Sequence, residues 1–389
     1  MNTPSVVLRK GKDKAVRNRH HWVFSGAVER FPEFEDGTIL AVRSWEGELL
    51  GHGYFNKKCS LTGRMVSFGT QPPLEAIGEA LESAVRLRGL FAEETTTAFR
   101  LVNGEGDRLP GLIVDRYGDT LVIQVATLGM EKLKPRILDF LLEKFSPRSV
   151  YEKSSLPSRR EEGLPDAEGL LHGEMPGRVE IMEHGLRFLI DIVQSQKTGL
   201  FLDQREMRRL VGGLSRGRNV LDCFSYSGGF SVHALNGGAR SVVCVDVSEK
   251  ALEQSRENIR LNGFDPEGQQ FIAHDVFQFL RDRDTGCDLV VLDPPAFAKK
   301  RTDVVQACRG YKDINRLAMQ KMPPGSLLFT SSCSHYVDDS LFQQVLFQAA
   351  SEAGRNARLL QRHRQAFDHP VNIFHPESHY LKGFLLWIE

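Results

Sequence analysis

Neither sign of charge is in excess: 50 Lys and Arg stand against 50 Asp and Glu in 389 residues. A protein that grips polyanions by bulk charge is usually basic overall, so this balance excludes nonspecific adhesion to nucleic acid as the main activity, though not a local basic patch. Long hydrophobic runs are missing as well. No stretch reaches the ~18 apolar residues of a membrane span. The short Val6-Val7-Leu8 run beside Arg9, Lys10, Lys12 and Lys14 is not the apolar region of a secretory signal. No membrane partner is expected. Cysteines are few (59, 223, 244, 287, 308 and 333) and form no C-x-x-C pair, which argues against a disulfide framework and a zinc site. No metal is expected, and the expected compartment is the cytoplasm. Internal repeats and low-complexity tracts are absent too. With 41% hydrophobic and 26% charged residues the composition is that of a folded globular chain, long enough for two or three domains.

The patterning divides the chain in three. Residues 1–72 are short, Gly-punctuated and strand-like, as in Ile39–Val42 and Leu49–Phe55, and Pro72-Pro73 closes the block. Residues 73–183 read as a small central α+β domain. It has a helix over Leu74–Phe91, strands at Phe99–Val102, Leu112–Asp115 and Thr120–Ala126, a second helix over Lys132–Phe145, and a loop-rich stretch over Ser154–Gly177. From 184 onward strands and helices alternate: strand Leu186–Asp191, a helix from Gln204, strand Val220–Phe224, helix 229–236, strand Ser241–Asp246, helix 248–262, then strands Asp288–Asp293 and Ser326–Ser331. Such alternation implies an α/β fold, a mostly parallel sheet with helices on both faces.

Chemistry gathers at the ends of these strands. Asp222-Cys223-Phe224-Ser225-Tyr226-Ser227-Gly228-Gly229 puts an acid at a strand end, then a small-residue turn, then a helix N-terminus with unpaired N–H groups. Asp246, followed by Val247, closes the next strand, where an acid suits a ribose hydroxyl pair. The Gly-x-Gly-x-x-Gly cradle of dinucleotide folds is absent, so an adenosine ligand without a pyrophosphate fits better. Asp275 before Val276 can accept from an adenine amino group while its apolar neighbour covers the ring; it can equally cap a helix. Asp293-Pro294-Pro295-Ala296-Phe297 makes a rigid turn at the carboxyl edge of the sheet, where ligands bind.

Four such sites in this order resemble the class I S-adenosylmethionine-dependent methyltransferases. Ser225–Ala234, Asp293–Lys299, Gly310–Asn315 and Ser332-Cys333-Ser334-His335 look like the ribosomal RNA large-subunit methyltransferase I family. So do Gln196–Arg205, Asp368-His369-Pro370 and Tyr380-Leu381-Lys382-Gly383. The resemblance spans nearly the whole chain. It implies an N-terminal PUA β-barrel that binds RNA (residues 1–72), a central α+β domain and a C-terminal Rossmann-like domain with a seven-stranded sheet (184–389). It further implies S-adenosylmethionine as cofactor, held by Asp222, Phe224, Ser227, Gly228, Asp246, Val247, Asp275, Val276 and Asp293, and covered by Thr198, Phe201 and Arg205.

Bacterial members of the family make 5-methylcytidine, which gives Cys333 a role. Carbon 5 of cytosine is a poor nucleophile; a thiolate adding to carbon 6 makes carbon 5 enamine-like and able to take the methyl group, after which loss of the carbon 5 proton expels the thiol. Asp293 is then expected to hydrogen-bond the cytosine edge. Some 5-methylcytosine enzymes carry a second cysteine after the DPP-like turn; here the residue is Ala296, and the sequence names no base for the carbon 5 proton. Cys223, Cys244, Cys287 and Cys308 read as core or incidental thiols.

The RNA contacts expected from charge and resemblance are Arg9, Lys10, Lys12, Arg17 and Arg19, with Lys14 and Arg30 in the same basic cluster. At the catalytic edge they are Pro294, Pro295, Phe297, Lys299, Tyr311, Lys312, Asn315 and His335. Tyr311, Lys312 and Asn315 fit a solvated helix face equally well. Trp22 and Phe24 read as barrel packing more than base stacking, and Phe230 and Phe297 likewise as packing. Arg355, Arg358, Arg362 and Arg364 form a further basic run. Ribosomal RNA is the expected partner, and a homodimer through an apolar patch stays open. Two other readings also remain: a methyltransferase acting on another atom, such as a guanine nitrogen, with Cys333 structural, and a noncatalytic RNA-binding assembly factor.

Overall fold

The computed structural model describes residues 4–91, 93–195, 197–284 and 286–389. Gln196, the first residue of one of the motif segments, lies outside them. The chain divides into two compact units, one of residues 1–181, 190–200 and 367–378, the other of 182–189, 201–366 and 379–389.

The first unit carries a six-stranded sheet drawn from residues 5–68 and a five-stranded sheet from residues 98–173. The six-stranded sheet closes over Val6, Leu8, Val23, Val42, Phe55 and Met65. Helices Pro73–Gly89 and Leu128–Phe145 pack on the five-stranded sheet through Ile77, Leu81, Met130, Ile137 and Leu141. The stretch expected to be loop, 154–177, holds a short helix, Pro157–Glu161, and a strand, Ala167–Gly173, that pairs antiparallel with Ser149–Ser154. Its side chains alternate only weakly in polarity, which hid the strand. Asp368 fixes the returning segment: its carboxylate accepts from Arg100 N–H at 2.8 Å, and its carbonyl accepts from Arg88 at 2.6 Å. Arg88 also forks onto buried Asp107 at 2.6 and 2.7 Å. His20, His375 and Glu377 cluster in the same unit. There the Trp22 N–H donates to His20 Nδ1, which leaves the Nε2 side of that ring to donate to Glu377 at 3.2 Å.

The second unit is a doubly wound sheet. Its strands are β1 (Asn219–Cys223), β2 (Ser241–Asp246), β3 (Gln270–Ala273), β4 (Leu289–Leu292), β5 (Ser326–Ser332), β6 (Ala357–His363) and β7 (Lys382–Ile388). They lie in the order β3-β2-β1-β4-β5-β7-β6. The first five run parallel, and β7 is antiparallel to both its neighbours. The helices are α1 (Arg205–Gly213), α2 (Gly229–Asn236), α3 (Glu249–Leu261), α4 (Val276–Asp282), α5 (Val304–Lys321) and α6 (Asp339–Ala353). Strands β1, β2 and β4 are apolar along most of their length, and β5 over Leu327–Phe329, because helices cover both faces. Cys223 and Cys244 are fully buried in them, and Cys287 in the same core.

Candidate active site

Parallel order places the ends of β1, β2, β3, β4 and β5 along one carboxyl edge, where open α/β sheets bind ligands. The acids singled out in the sequence fall on it. Asp222 precedes the last residue of β1, Asp246 ends β2, Asp275 follows β3, and Asp293 follows β4. Cys333 comes directly after β5.

The loop after β1 is folded against the usual preferences of its residues. Phe224, Tyr226 and Gly228 all have positive φ (62°, 46° and 79°). Two bulky residues in that region carry strain, which marks a functional turn. Its backbone is held by Phe224 N–H on Val245 O at 2.9 Å and by Tyr226 N–H on the Asp246 carboxylate at 3.0 Å. The other Asp246 oxygen accepts from Ser248 N–H at 2.9 Å. Gly228 is required twice over: its φ suits glycine, and a β-carbon there would lie 2.1 Å from Ser255 Oγ.

Asp222 is fully buried. One oxygen accepts from Ser231 Oγ at 2.7 Å; the other, Oδ1, has no hydrogen-bond partner among the described residues. Ser225 Oγ and Ser227 Oγ are buried and unpartnered in the same sense. Burial, with the nearby charges of Asp293 and Asp246 adding to it, pushes the Asp222 carboxyl up to about 7 against the Ser231 hydrogen bond. Asp275 caps α4 by accepting from Gln278 N–H at 3.0 Å and stays exposed, as does Val247 beyond Asp246, while Val276 is buried.

Two residues that the sequence reading missed hold Asp293. Its Oδ1 accepts from Gln204 Nε2 at 2.7 Å and from Ser331 Oγ. Burial, reinforced by the charge of Asp203, pushes the carboxyl up to about 6, while the hydrogen bonds from Ser331 and Gln204 oppose the shift. The turn after Asp293 is pinned to the turn that carries Cys333. Ser334 Oγ accepts from Ala298 N–H at 3.0 Å and meets Tyr311 Oη at 2.8 Å. Cys333 Sγ lies 3.8 Å from Pro294 O and is half-buried. Across the sheet, Lys382 donates to Ser334 O at 2.7 Å.

Other expected residues fall less centrally. Tyr311 and Asn315 are fully buried, so the solvated-face alternative fails for both. Asn315 donates to Tyr311 O at 2.8 Å, and the Tyr311 ring packs on Phe297 at 4.5 Å. Phe230 is buried too. Lys312 turns away to Glu352 at 2.6 Å. Pro294 is buried; Pro295, Lys299 and His335 are exposed. Phe201 belongs to the second unit, where its carbonyl accepts from Arg208 at 2.9 Å; buried Arg205 lies beside Glu206 there. Thr198 belongs to the first unit, where it donates to Asp115 at 2.7 Å.

In the basic N-terminal segment Arg9, Lys10, Lys12, Arg17 and Arg19 all reach solvent, but Arg17 is spent on Asp13 and Glu48, and Arg9 faces Glu29. Phe24 is 51% exposed, against the expectation that it packs inside the barrel, while Trp22 donates to Glu105 at 2.9 Å. Arg355 leaves the C-terminal basic run: it donates to the carbonyls of Met319, Met322 and Glu389.

Comparison with known proteins agrees with this geometry. A family model described as an S-adenosylmethionine-dependent methyltransferase matches residues 160–364, and one described as a PUA-like domain matches 6–68. Ribosomal RNA large subunit methyltransferase I of Aliivibrio fischeri (strain ES114) is 40% identical, covering 98% of each chain. The protein of that name from Vibrio cholerae (strain N16961) is 42% identical over the same shares. The chain belongs to the ribosomal RNA large subunit methyltransferase I family. A Streptococcus mutans protein assigned as a SAM-dependent methyltransferase shares the fold of this family member, with a TM-score of 0.84 at 23% identity, covering 98% of this chain and 99% of that one. Another solved neighbour with the same fold is complexed with SAH.

S-adenosylmethionine is the cofactor of this methyltransferase, and the residues present fit it. Asp222 Oδ1, Ser225 Oγ and Ser227 Oγ are buried polar atoms without partners among the described residues at the glycine turn. Groups left so cost about 1–3 kcal/mol each, which a polar ligand would recover.

Proposed function

We propose that this methyltransferase modifies carbon 5 of a cytosine in large-subunit ribosomal RNA, with Cys333 as the covalent nucleophile. The cofactor supplies an electrophilic methyl group. Around it, Asp222, Ser227, Gly228 and Asp246 bind the nucleoside and amino-acid portions, and Asp275 with Val276 takes the adenine. The Cys333 thiolate adds to carbon 6 of the base, which raises the electron density at carbon 5. The charge that develops at N3 is met by Asp293. A carboxyl raised to about 6 still carries a proton in part of the molecules near neutral pH, and so can donate to N3. Gln204 and Ser331 hold that carboxyl in place.

The observation that carries this reading is the pinning of the Cys333 turn to the Asp293-Pro294-Pro295 turn through the Ala298–Ser334 hydrogen bond. A merely structural thiol has no need of such a neighbour. For RNA binding, exposed Lys10 and Lys299, with Lys12 beside them in charge, supply phosphate contacts, which position a substrate without reading its sequence.

The test is Cys333→Ala assayed on ribosomal RNA, with nucleoside mass spectrometry of the product. Loss of turnover is expected, together with loss of the covalent adduct that the native chain forms with RNA containing 5-fluorocytidine. Full cytosine methylation by the variant, or a methylated guanine as product, would refute the proposal.

A further inference from the structure

Lys382 opens β7 directly opposite Ser332, the last residue of β5, in the antiparallel register. Only 2% of it is exposed. Its ammonium donates to two carbonyls, Ser334 O and Tyr380 O, each at 2.7 Å, and forms no ion pair with a carboxylate among the described residues. Burying an ammonium costs several kcal/mol, and two neutral carbonyls offset only part of that. A lysine that merely tied two strand ends together could be replaced by a neutral donor at lower cost. The position therefore asks what anion the charge serves.

The groups around it answer. Pinned to the carbonyl of the residue after Cys333, Nζ sits beside the cysteine turn. The negative charges that act on Lys382 are led by Cys333, with Asp339 and Asp338 at the start of α6 behind it. Burial outweighs them and draws the ammonium down to about 8. From α5 the group facing the thiol is Tyr311, a phenol raised by burial and further by Cys333. His335, two residues on, is exposed. Lys382 is thus the buried cation at this turn.

We propose that Lys382 is a positioning residue that holds Cys333 as the thiolate, the form that attacks carbon. This rests on the reading of Cys333 as nucleophile. Only the S–H bond breaks: its proton leaves to solvent, and Lys382 stays an ammonium beside the cysteine turn, two of its N–H groups on Ser334 O and Tyr380 O. A nearby cation is one of the recognised ways to bring a thiol below its ordinary pKa of about 8.5.

The test follows alkylation of Cys333 by iodoacetamide against pH in the full chain, with the labelled peptide quantified by mass spectrometry. The native midpoint is expected below the ordinary value of about 8.5. Lys382→Gln, which keeps a donor without the charge, should raise the midpoint by about one unit, a roughly tenfold slower reaction on the acid side. Lys382→Arg should leave it near the native position. A native midpoint at or above the ordinary value overturns the proposal without any variant. So does an unchanged midpoint in folded Lys382→Gln. Retained turnover in Cys333→Ala would instead remove the nucleophile reading, and the alkylation midpoint does not depend on that result.

Discussion

Asp222→Asn should make the cofactor-free protein gain stability relative to the native chain as pH rises. The native carboxyl ionises at its ordinary 3.8 when unfolded and near 7 when folded, because burial penalises its charged form. Between those values the folded chain holds a proton that the unfolded chain has released, so native stability falls as pH rises through the window. At 1.36 kcal/mol per unit the full penalty above the window is about 4 kcal/mol. Near pH 5.5 about 2 kcal/mol of it is already present, so about 2 kcal/mol more accrues by about pH 8. The introduced asparagine keeps an acceptor for Ser231 and cannot ionise, so this loss is absent in the variant. Urea unfolding of both chains at the two pH values, without cofactor, reads the effect. The stability of the variant minus that of the native chain should rise by about 2 kcal/mol from the lower pH to the higher. A constant difference would refute the reasoning. Calorimetry should meanwhile show weaker S-adenosylmethionine binding by the variant, the exchange of stability for function expected of a buried site acid.

Gly228→Ala should abolish cofactor binding and lower stability by more than about 1 kcal/mol, since the new β-carbon meets Ser255 Oγ in a backbone conformation that suits glycine; a thermal melt and a titration would check it. Glu183→Gln leaves Arg208, now forked onto Glu183 at 2.6 Å through Nε and Nη2, buried with a neutral partner, and should cost about 3–5 kcal/mol at neutral pH in urea unfolding. Arg208 and His233 hold Glu183 well below the usual carboxylate range, so its contribution is present above the ordinary pKa and lost as pH falls; the penalty for the variant should shrink in acid. Lys10→Glu with Lys12→Glu should bind ribosomal RNA more weakly than the native chain does, with a flatter dependence on salt, as measured by filter binding at several salt concentrations.

The sheet was legible where burial on both faces wrote an apolar run. Ser241–Asp246 and the helix over 229–236 lie where the pattern placed them, and Leu186–Asp191, in a separate two-stranded sheet, was legible from its alternation. β3 escaped because it is only four residues long, Gln270–Ala273, with three apolar residues that are too few to write a strand period. The strand Ala167–Gly173 escaped because both its faces are largely exposed. The acids and Cys333 were legible because a strand followed by a turn fixes which end of a parallel sheet a residue meets. Their partners were not. Gln204 lies 89 residues before Asp293, and Lys382 lies 48 after Ser334. Gln204 is one polar residue among several from Asp203 to Glu206, Lys382 opens an apolar strand, and only the tertiary fold says which turn each faces. Both do lie in segments, 196–205 and 380–383, that resemble motifs of the family, which was the one signal available.

The zero net charge now divides into parts that do different work. Arg88, Arg159 and Arg208 are buried and matched by Asp107, Glu131 and Glu183 inside their own units, so they add nothing to the field outside. Asp222 and Asp293 count as anions in the formal sum, yet burial keeps both partly protonated near neutrality. Lys382 counts as a cation, yet its charge is enclosed beside Cys333. The cations left to meet a polyanion are solvent-facing ones such as Lys10, Lys12, Lys299 and Lys300, with solvent-facing acids interspersed along the chain. Charges of both signs so interspersed cancel at a distance and leave phosphate contact to local basic clusters such as Arg9–Lys14 and Lys299–Arg301. Binding then depends on a substrate that fits such local clusters, and selectivity follows from where the exposed charge is grouped rather than from an overall excess.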